Sequence, residues 1–320
     1  MGNTRKALVV GIDYYREVSP LFGCVNDAYS VKGVLDRHSN GTKNFDVNLV
    51  VSSNEKSALT RKELKTQVEN LFCDGNDIAL FYFAGHGYIE STGGYLITSE
   101  CSYGDDGFPL NDLLGIANNS PAANKIIILD SCHSGIAGNF SATEDKAFLK
   151  EGVTILTASS DKQYAAEENG SGVFTTLLVD AMNGSAANLV GEITPGSIYA
   201  HIDQSLGTWE QRPIFKTNVT RFTTLRTVQA PISLEDLKMI TTLFPQRGDL
   251  FQLDPSYEPE SSNPDDEKTR IFAVLQKYNR INLVVPIDAP HMYHAAINSK
   301  SCRLTVLGEH YWTLVSKDRI

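Results

Sequence analysis

Cysteine is scarce in this chain and widely dispersed. The five thiols (Cys24, Cys73, Cys101, Cys132 and Cys302) are an odd number, and none forms a CxxC pair or a His/Cys spacing suited to a metal. That excludes a disulfide framework and a zinc module, and it predicts free thiols in a reducing cytoplasmic setting. Long hydrophobic runs are also missing. Nothing approaches the roughly eighteen apolar residues of a membrane span. The first apolar run, within MGNTRKALVVGID, is too short for a signal peptide and is followed by no small-residue cleavage site. Lys6 stands where myristoylation of Gly2 would want Ser or Thr. Positive charge is short as well. With 28 Lys+Arg against 38 Asp+Glu, the net charge is -10, which suits neither nucleic acid nor an anionic membrane as a partner.

What is present is a globular composition. A hydrophobic fraction of 42% over 320 residues fits one large domain and one small one. Residues 1–228 alternate apolar strand-like runs with amphipathic helical ones. Strands are expected at 6–13, 47–52, 77–85, 93–98, 125–130, 152–159 and 212–218. Helices are expected at 26–38 (with Asn26 as a possible N-cap), 60–72, 109–118, 172–182 and 195–207. Thr60 and Glu63 make a capping box ahead of the second helix. Such alternation predicts an α/β fold: an open, mostly parallel sheet with helices on both faces. Functional residues in that architecture gather beyond the carboxyl ends of the strands.

Two strand ends carry reactive chemistry. FYFAGHGY places His86 between glycines after one apolar run, and ILDSCHSG places Cys132 after another, 46 residues on. A thiol nucleophile needs exposure and a base within hydrogen-bonding reach, and neighbouring strand ends supply both. The Gly87 and Cys132 N–H groups are candidates for an oxyanion hole. His133 adjoins Cys132, so its ring is expected to diverge from the thiol into a loop role.

These motifs carry a family resemblance. The stretches KALVVGID, LFGCVNDA, FYFAGHG, IIILDSCHSG, TILTASSDKQYAAE and GSGVFTTLLVDAM resemble, in order and over about residues 5–220, the caspase-like superfamily, in particular its metacaspase and bacterial caspase-like members. The resemblance implies a caspase-hemoglobinase-type sheet and peptide-bond hydrolysis by Cys132 with His86. It also implies an acidic P1 pocket for Arg or Lys, with Asp130, two residues before the cysteine, and Asp27, with Cys24 beside them. Two carboxylates in a narrow pocket would select a cation through charge-assisted hydrogen bonds, whereas an aspartate-specific pocket needs arginines, absent from these segments. Ala84 departs from the serine that metacaspases often carry there. The polar linker 139–152, equivalent to one that can be cut during activation, contains Lys146 and Lys150 as candidate self-cleavage sites. Calcium binding occurs in many metacaspases, but the spacing of Asp105, Asp106 and Asp112 matches no ligand pattern, and no metal or other cofactor is expected.

After about residue 229 the rhythm changes. Helices are expected at 233–244, 265–280 and 304–318, a loop at 253–267, and short strands at 281–287, 291–298 and 299–305. The last strands and final helix resemble the wing and last helix of a winged-helix domain. Residues 230–320 carry ten Lys+Arg against twelve Asp+Glu, so no basic footprint for DNA is present. A regulatory domain for residues 229–320 is expected instead, with His291, Tyr293, His294, Asn298, Tyr311 and Trp312 as candidates to line a site for a nucleotide-derived or protein activator. Similar tails accompany caspase-like proteases in bacterial defence, an analogy at the level of fold. The expected protein is therefore a regulated zymogen acting on protein or peptide substrates. The alternatives are a silent homologue acting as a scaffold and a winged-helix DNA-binding regulator.

Overall fold

Six apolar runs pair into one sheet. The computed structural model describes the chain except residues 1–3, 91–92, 132–138, 142–143, 159–166, 169–170 and 208–211; at 139–141, 144–147, 167–168 and 171 it describes the backbone alone. The strands are β1 (Arg5–Ile12), β2 (Asp46–Ser52), β3 (Ile78–Ala84), β4 (Asn124–Asp130), β5 (Val153–Thr157) and β6 (Ile214–Asn218). Their order is β6-β5-β4-β3-β1-β2. All neighbours run parallel except β6, which is antiparallel to β5. The expected α/β architecture is borne out.

Alternation along the strands builds two cores. Leu8, Val10, Phe81 and Phe83 face helices α2 (Arg61–Phe72) and α3 (Leu110–Asn119), which bury Leu64, Val68 and Leu113 against them. Ala7, Val9, Leu80 and Tyr82 face α1 (Cys24–Asp36), α4 (Val173–Asp180) and α5 (Pro195–Ser205), which bury Val31, Phe174 and Ile198. Every residue of β3 is buried, as a central parallel strand requires. The Thr60–Glu63 capping box opens α2 as its sequence predicts.

The start of α1 differs from expectation. Asn26 is not the cap: the helix begins at Cys24 after Gly23, which makes no side-chain cap bond. Asp13, at the end of β1, does the work from eleven residues away. Its Oδ1 accepts from the Cys24 and Val25 N–H groups at 2.9 and 3.3 Å, placing negative charge at the positive end of the helix. Gly11 lets this helix turn approach, because a Cβ there would lie 2.3 Å from the Cys24 carbonyl oxygen.

The linker beyond β4 also differs from a plain loop. Backbone strands Asn139–Ser141 and Glu144–Ala147 pair antiparallel. Residues 148–150 are then held by two asparagines: Asn118 Nδ2 donates to the Phe148 carbonyl, Asn218 Nδ2 to the Leu149 carbonyl, and Asn118 Oδ1 accepts from the Lys150 N–H. Side-chain amides distant in sequence thus satisfy a backbone that local pattern leaves unpaired.

Residues Ala230–Ile320 form a second compact unit. Helices α6 (Leu234–Lys238) and α7 (Ile240–Leu243) open it, with Ser233 Oγ accepting from the Asp236 N–H. The strands β7 (Leu250–Gln252), β8 (Val284–Pro286) and β9 (Ser301–Leu304) pair antiparallel in the order β7-β9-β8. Helices α8 (Asp266–Arg280), α9 (Met292–Ile297) and α10 (Val306–Ser316) complete it. Residues 291–298 were expected as a strand and form α9 instead. Met292, Ala295 and Ala296 are its buried residues, an i, i+3, i+4 spacing that only a helix can turn inward. The pair of strands expected just ahead of the final helix is therefore a helix followed by β9.

Candidate active site

Strand order reverses between β1 and β3, and the site lies beyond the carboxyl ends of β1, β3 and β4. Ala84 and Asp130 are register partners at the ends of β3 and β4. His86 and Cys132 each follow their partner by two residues in sequence. Cys132 itself, with His133, lies outside the described residues, which stop at the buried Ser131 and resume at Asn139.

His86 is held from three sides. Its backbone N–H donates to the Tyr15 hydroxyl at 2.8 Å. Its ring lies 4.7 Å from the Tyr15 ring, tilted by 52°. Its Nε2 is 2.8 Å from the Ser19 carbonyl oxygen. A carbonyl can only accept, so Nε2 carries the proton and Nδ1 holds the lone pair in the neutral ring. That is the tautomer a general base needs. Burial pushes the Tyr15 phenol well above its usual range, so it stays a neutral acceptor for the His86 N–H.

Gly87 opens the strand 87–90, which pairs with 93–96. The Ile97 N–H donates to the His86 carbonyl, so Gly87 opposite Leu96 is a non-hydrogen-bonded pair, and its N–H points away from that strand. It remains suited to receive a developing oxyanion. The second donor considered, the Cys132 N–H, lies outside the described residues.

Asp27 and Asp130 converge although 103 positions separate them in sequence. Both are buried, at 2% and 6% exposure. They meet at Gly172, which precedes α4. The Gly172 N–H donates to Asp27 Oδ2 at 3.0 Å. A Cβ on Gly172 would lie 2.5 Å from Asp130 Oδ2 and 3.2 Å from Asp27 Oδ2. Only glycine fits there. Cys24, the first residue of α1, is buried one helical turn before Asp27. Ala84 is fully buried in register with Asp130.

Sequence reasoning overlooked Asp13, Tyr15, Ser19, Gly172 and Thr175. Asp13 had one local signal, an acid directly after a buried strand. Ser19 acts through its carbonyl, which no residue type reveals.

The remaining candidates are dispersed. Lys150 Nζ donates to Asn119 Oδ1 at 2.9 Å; of Lys146 only the backbone is described, in strand Glu144–Ala147. Asp106 Oδ2 accepts from the Ser102 and Tyr103 N–H groups, a local capping role, and Asp112 lies in the first turn of α3. Among the described residues no group of three or more His, Cys, Asp or Glu is disposed to hold a metal ion, and no helix is long and apolar enough to cross a membrane.

In the second unit, His291, Tyr293 and His294 cluster at α9. The His294 ring lies 6.1 Å from His291 and 5.2 Å from Tyr293. Asn298 is exposed at the end of that helix. Tyr311 is core. Trp312 instead faces α7, donating from Nε1 to the Phe244 carbonyl at 2.6 Å with the Arg247 guanidinium 5.8 Å from its ring centroid.

The sheet and its helices are those of a caspase-like protein. Caspase-1 from Spodoptera frugiperda superposes with a TM-score of 0.51 at 12% identity, covering 71% of this chain and 92% of its own. A Geobacter sulfurreducens protein does so with a TM-score of 0.52 at 16% identity, covering 70% of this chain and all of its own. At sequence level, a family model described as the caspase domain matches residues 4–224. The chain therefore belongs to the caspase-domain family of cysteine peptidases. It is 27% identical over 185 residues to Metacaspase-1 of Schizosaccharomyces pombe, covering 52% of this chain and 43% of that protein. It is 27% identical over 210 residues to Metacaspase-1 of Yarrowia lipolytica, covering 58% and 44%. The chain thus matches less than half the length of these curated relatives.

Proposed function

We propose that this chain is a cysteine endopeptidase that cleaves proteins or peptides after Arg or Lys, with Cys132 as nucleophile and His86 as its base. The observation that carries the substrate class is the meeting of two buried carboxylates, Asp27 and Asp130, at Gly172. A closed acidic point of this kind rewards a guanidinium or ammonium and rejects an aspartate.

The chemistry follows from the His86 tautomer. Nδ1 takes the Cys132 proton, and the thiolate attacks the scissile carbonyl carbon. The carbonyl oxygen becomes an oxyanion, met by the Gly87 N–H. The imidazolium, steadied through Nε2–H by the Ser19 carbonyl, returns the proton to the leaving amine. Water then hydrolyses the thioester and regenerates Cys132.

A cytoplasmic protease that cuts after basic residues needs a restrained resting state. We assign that restraint to residues 230–320, as a sensor for a nucleotide-derived or protein signal in a defence or cell-death setting. The tight group of exposed rings at α9 supports this role. Such a signal must bind the active state better than the resting one, by about 5.5 kcal/mol to reverse a 1:99 population.

The test is hydrolysis of fluorogenic peptides with P1 Arg, Lys or Asp. Wild type, Cys132→Ala and residues 1–229 alone are compared, with and without candidate activators. Cys132→Ala abolishes turnover, and Arg or Lys peptides are cut while Asp peptides are not. Turnover by Cys132→Ala, or a profile dominated by P1 Asp, would overturn the mechanism. Identical activity and identical response in the short and full chains would overturn the sensor role.

A further inference from the structure

A chain of three buried groups ends on Asp130. Tyr82, in β3, is fully buried and its hydroxyl lies 2.5 Å from Thr175 Oγ1. Thr175, in α4 and 1% exposed, donates from Oγ1 to Asp130 Oδ2 at 2.6 Å. A hydroxyl has one hydrogen. Thr175 spends it on the carboxylate, so Tyr82 must be the donor in the other bond. The direction is Tyr82 O–H to Thr175 Oγ1, then Thr175 O–H to Asp130 Oδ2. Each bond polarises the next, and both reinforce a negative charge at Asp130.

We infer that Thr175 and Tyr82 are positioning residues for P1 recognition, fixing the Asp130 carboxylate in rotamer and charge state so that it receives the substrate's cation. The inference rests on the reading of Asp27 and Asp130 as the P1 pocket. Two features argue against a merely structural pairing. The chain joins three separate elements, running from the central strand β3 to α4 and giving its last proton to the carboxylate at the end of β4. In addition, Thr175 lies one helical turn after Gly172, the residue at which Asp27 and Asp130 meet. One element thus supplies both the open space of the pocket and the donor that orients its acid.

Burial, and after it the charges of Asp130, Asp27 and Cys24, push the Tyr82 phenol well above its usual range. Tyr82 therefore remains a neutral donor. Gly172, just before α4, and Thr175 in its first turn are uncharged, as are Thr157 at the end of β5 and Ala158 after it. Asp27 and Asp130 are like charges in a buried setting, so each raises the cost of ionising the other. The hydroxyl bond to Oδ2 opposes that effect at Asp130.

The experiment compares Thr175→Val, Thr175→Ser, Tyr82→Phe and Asp130→Asn in the full chain. It measures kcat and KM with Arg and Lys peptides across pH, together with iodoacetamide alkylation of Cys132 as a check that fold and thiol are intact. Thr175→Val should raise KM about tenfold, the loss of one hydrogen bond to a charged group. It should also move the acid limb of kcat/KM to higher pH, because an Asp130 carboxylate that has lost the Thr175 donor protonates sooner. Thr175→Ser should restore most of both, and Tyr82→Phe should show a smaller shift in the same direction. The alkylation rate, which needs no P1 pocket, should not change. If Asp130→Asn loses activity while Thr175→Val keeps the wild-type KM and pH profile, the positioning role is overturned and the pocket stands. If Asp130→Asn itself retains full activity on Arg peptides, the pocket falls and this inference with it. Should Thr175→Val not fold, the Tyr82→Phe pH profile decides: an unmoved acid limb overturns the relay.

Discussion

Asp27→Asn separates the cost of recognition from the cost of folding. Asn and Asp have the same shape, and the carboxamide oxygen still accepts from the Gly172 N–H, which now meets Asp27 Oδ2 at 3.0 Å. The packing of α1 around this buried position is kept. What disappears is one negative charge at the point where two carboxylates converge. A hydrogen bond to a charged group is worth about 1.5–3 kcal/mol. Removing one such partner from a bound guanidinium therefore predicts a loss of roughly 10- to 150-fold in kcat/KM, since 1.36 kcal/mol is about tenfold. Thermal stability should move little, by about the change of a conservative substitution. The assay pairs steady-state hydrolysis of P1 Arg and Lys peptides with a calorimetric melting temperature, in wild type and Asp27→Asn. Cys132 alkylation serves as a control for the thiol. An unchanged kcat/KM with a lowered melting temperature would show that Asp27 holds α1 and Gly172 in place and takes no part in P1 binding. A large loss in both would mean that the carboxylate supports the fold beyond its bond to Gly172.

Two further outcomes follow from packing alone. Self-cleavage should fall after Lys146 and not after Lys150. Cutting at Lys150 requires peeling a backbone held by Asn118 and Asn218, and its P1′ residue Glu151 accepts at its carbonyl from Lys125 Nζ at 2.7 Å; a Lys150 cut found by mass spectrometry in the folded protein would show that this clamp opens. In native thiol labelling at pH 8, exposed Cys73 should react, while Cys302, pushed up to about 12 by burial, and Cys101, raised by burial, should not; labelling of Cys302 before unfolding would contradict its place in the core.

Much of the architecture can be read locally. Runs such as residues 6–13 and 77–85 are apolar on both parities because each sheet face is covered by helices, and that pattern survives in the sequence alone. It places His86 and Asp130 at strand ends, and with the motif stretches it identifies the family. The boundary of α2 is equally local, since Thr60 and Glu63 satisfy each other within one turn. Residues 291–298 carry little local signal of their helix, because their buried positions are few and only a 3.6-residue period joins them. The rest depended on tertiary contact. Asp13 capping α1, Tyr15 and the Ser19 carbonyl holding His86, and Gly172 and Thr175 closing on Asp27 and Asp130 join residues from 11 to 145 positions apart. No local period records such pairs. Their partners are chosen by which strand lies beside which, and that choice is made by burying the sheet. The chain alone therefore specifies which side chains stand at the strand ends, while packing decides the tautomer of His86 and the meeting of Asp27 and Asp130 at Gly172, because both depend on groups brought in from other elements.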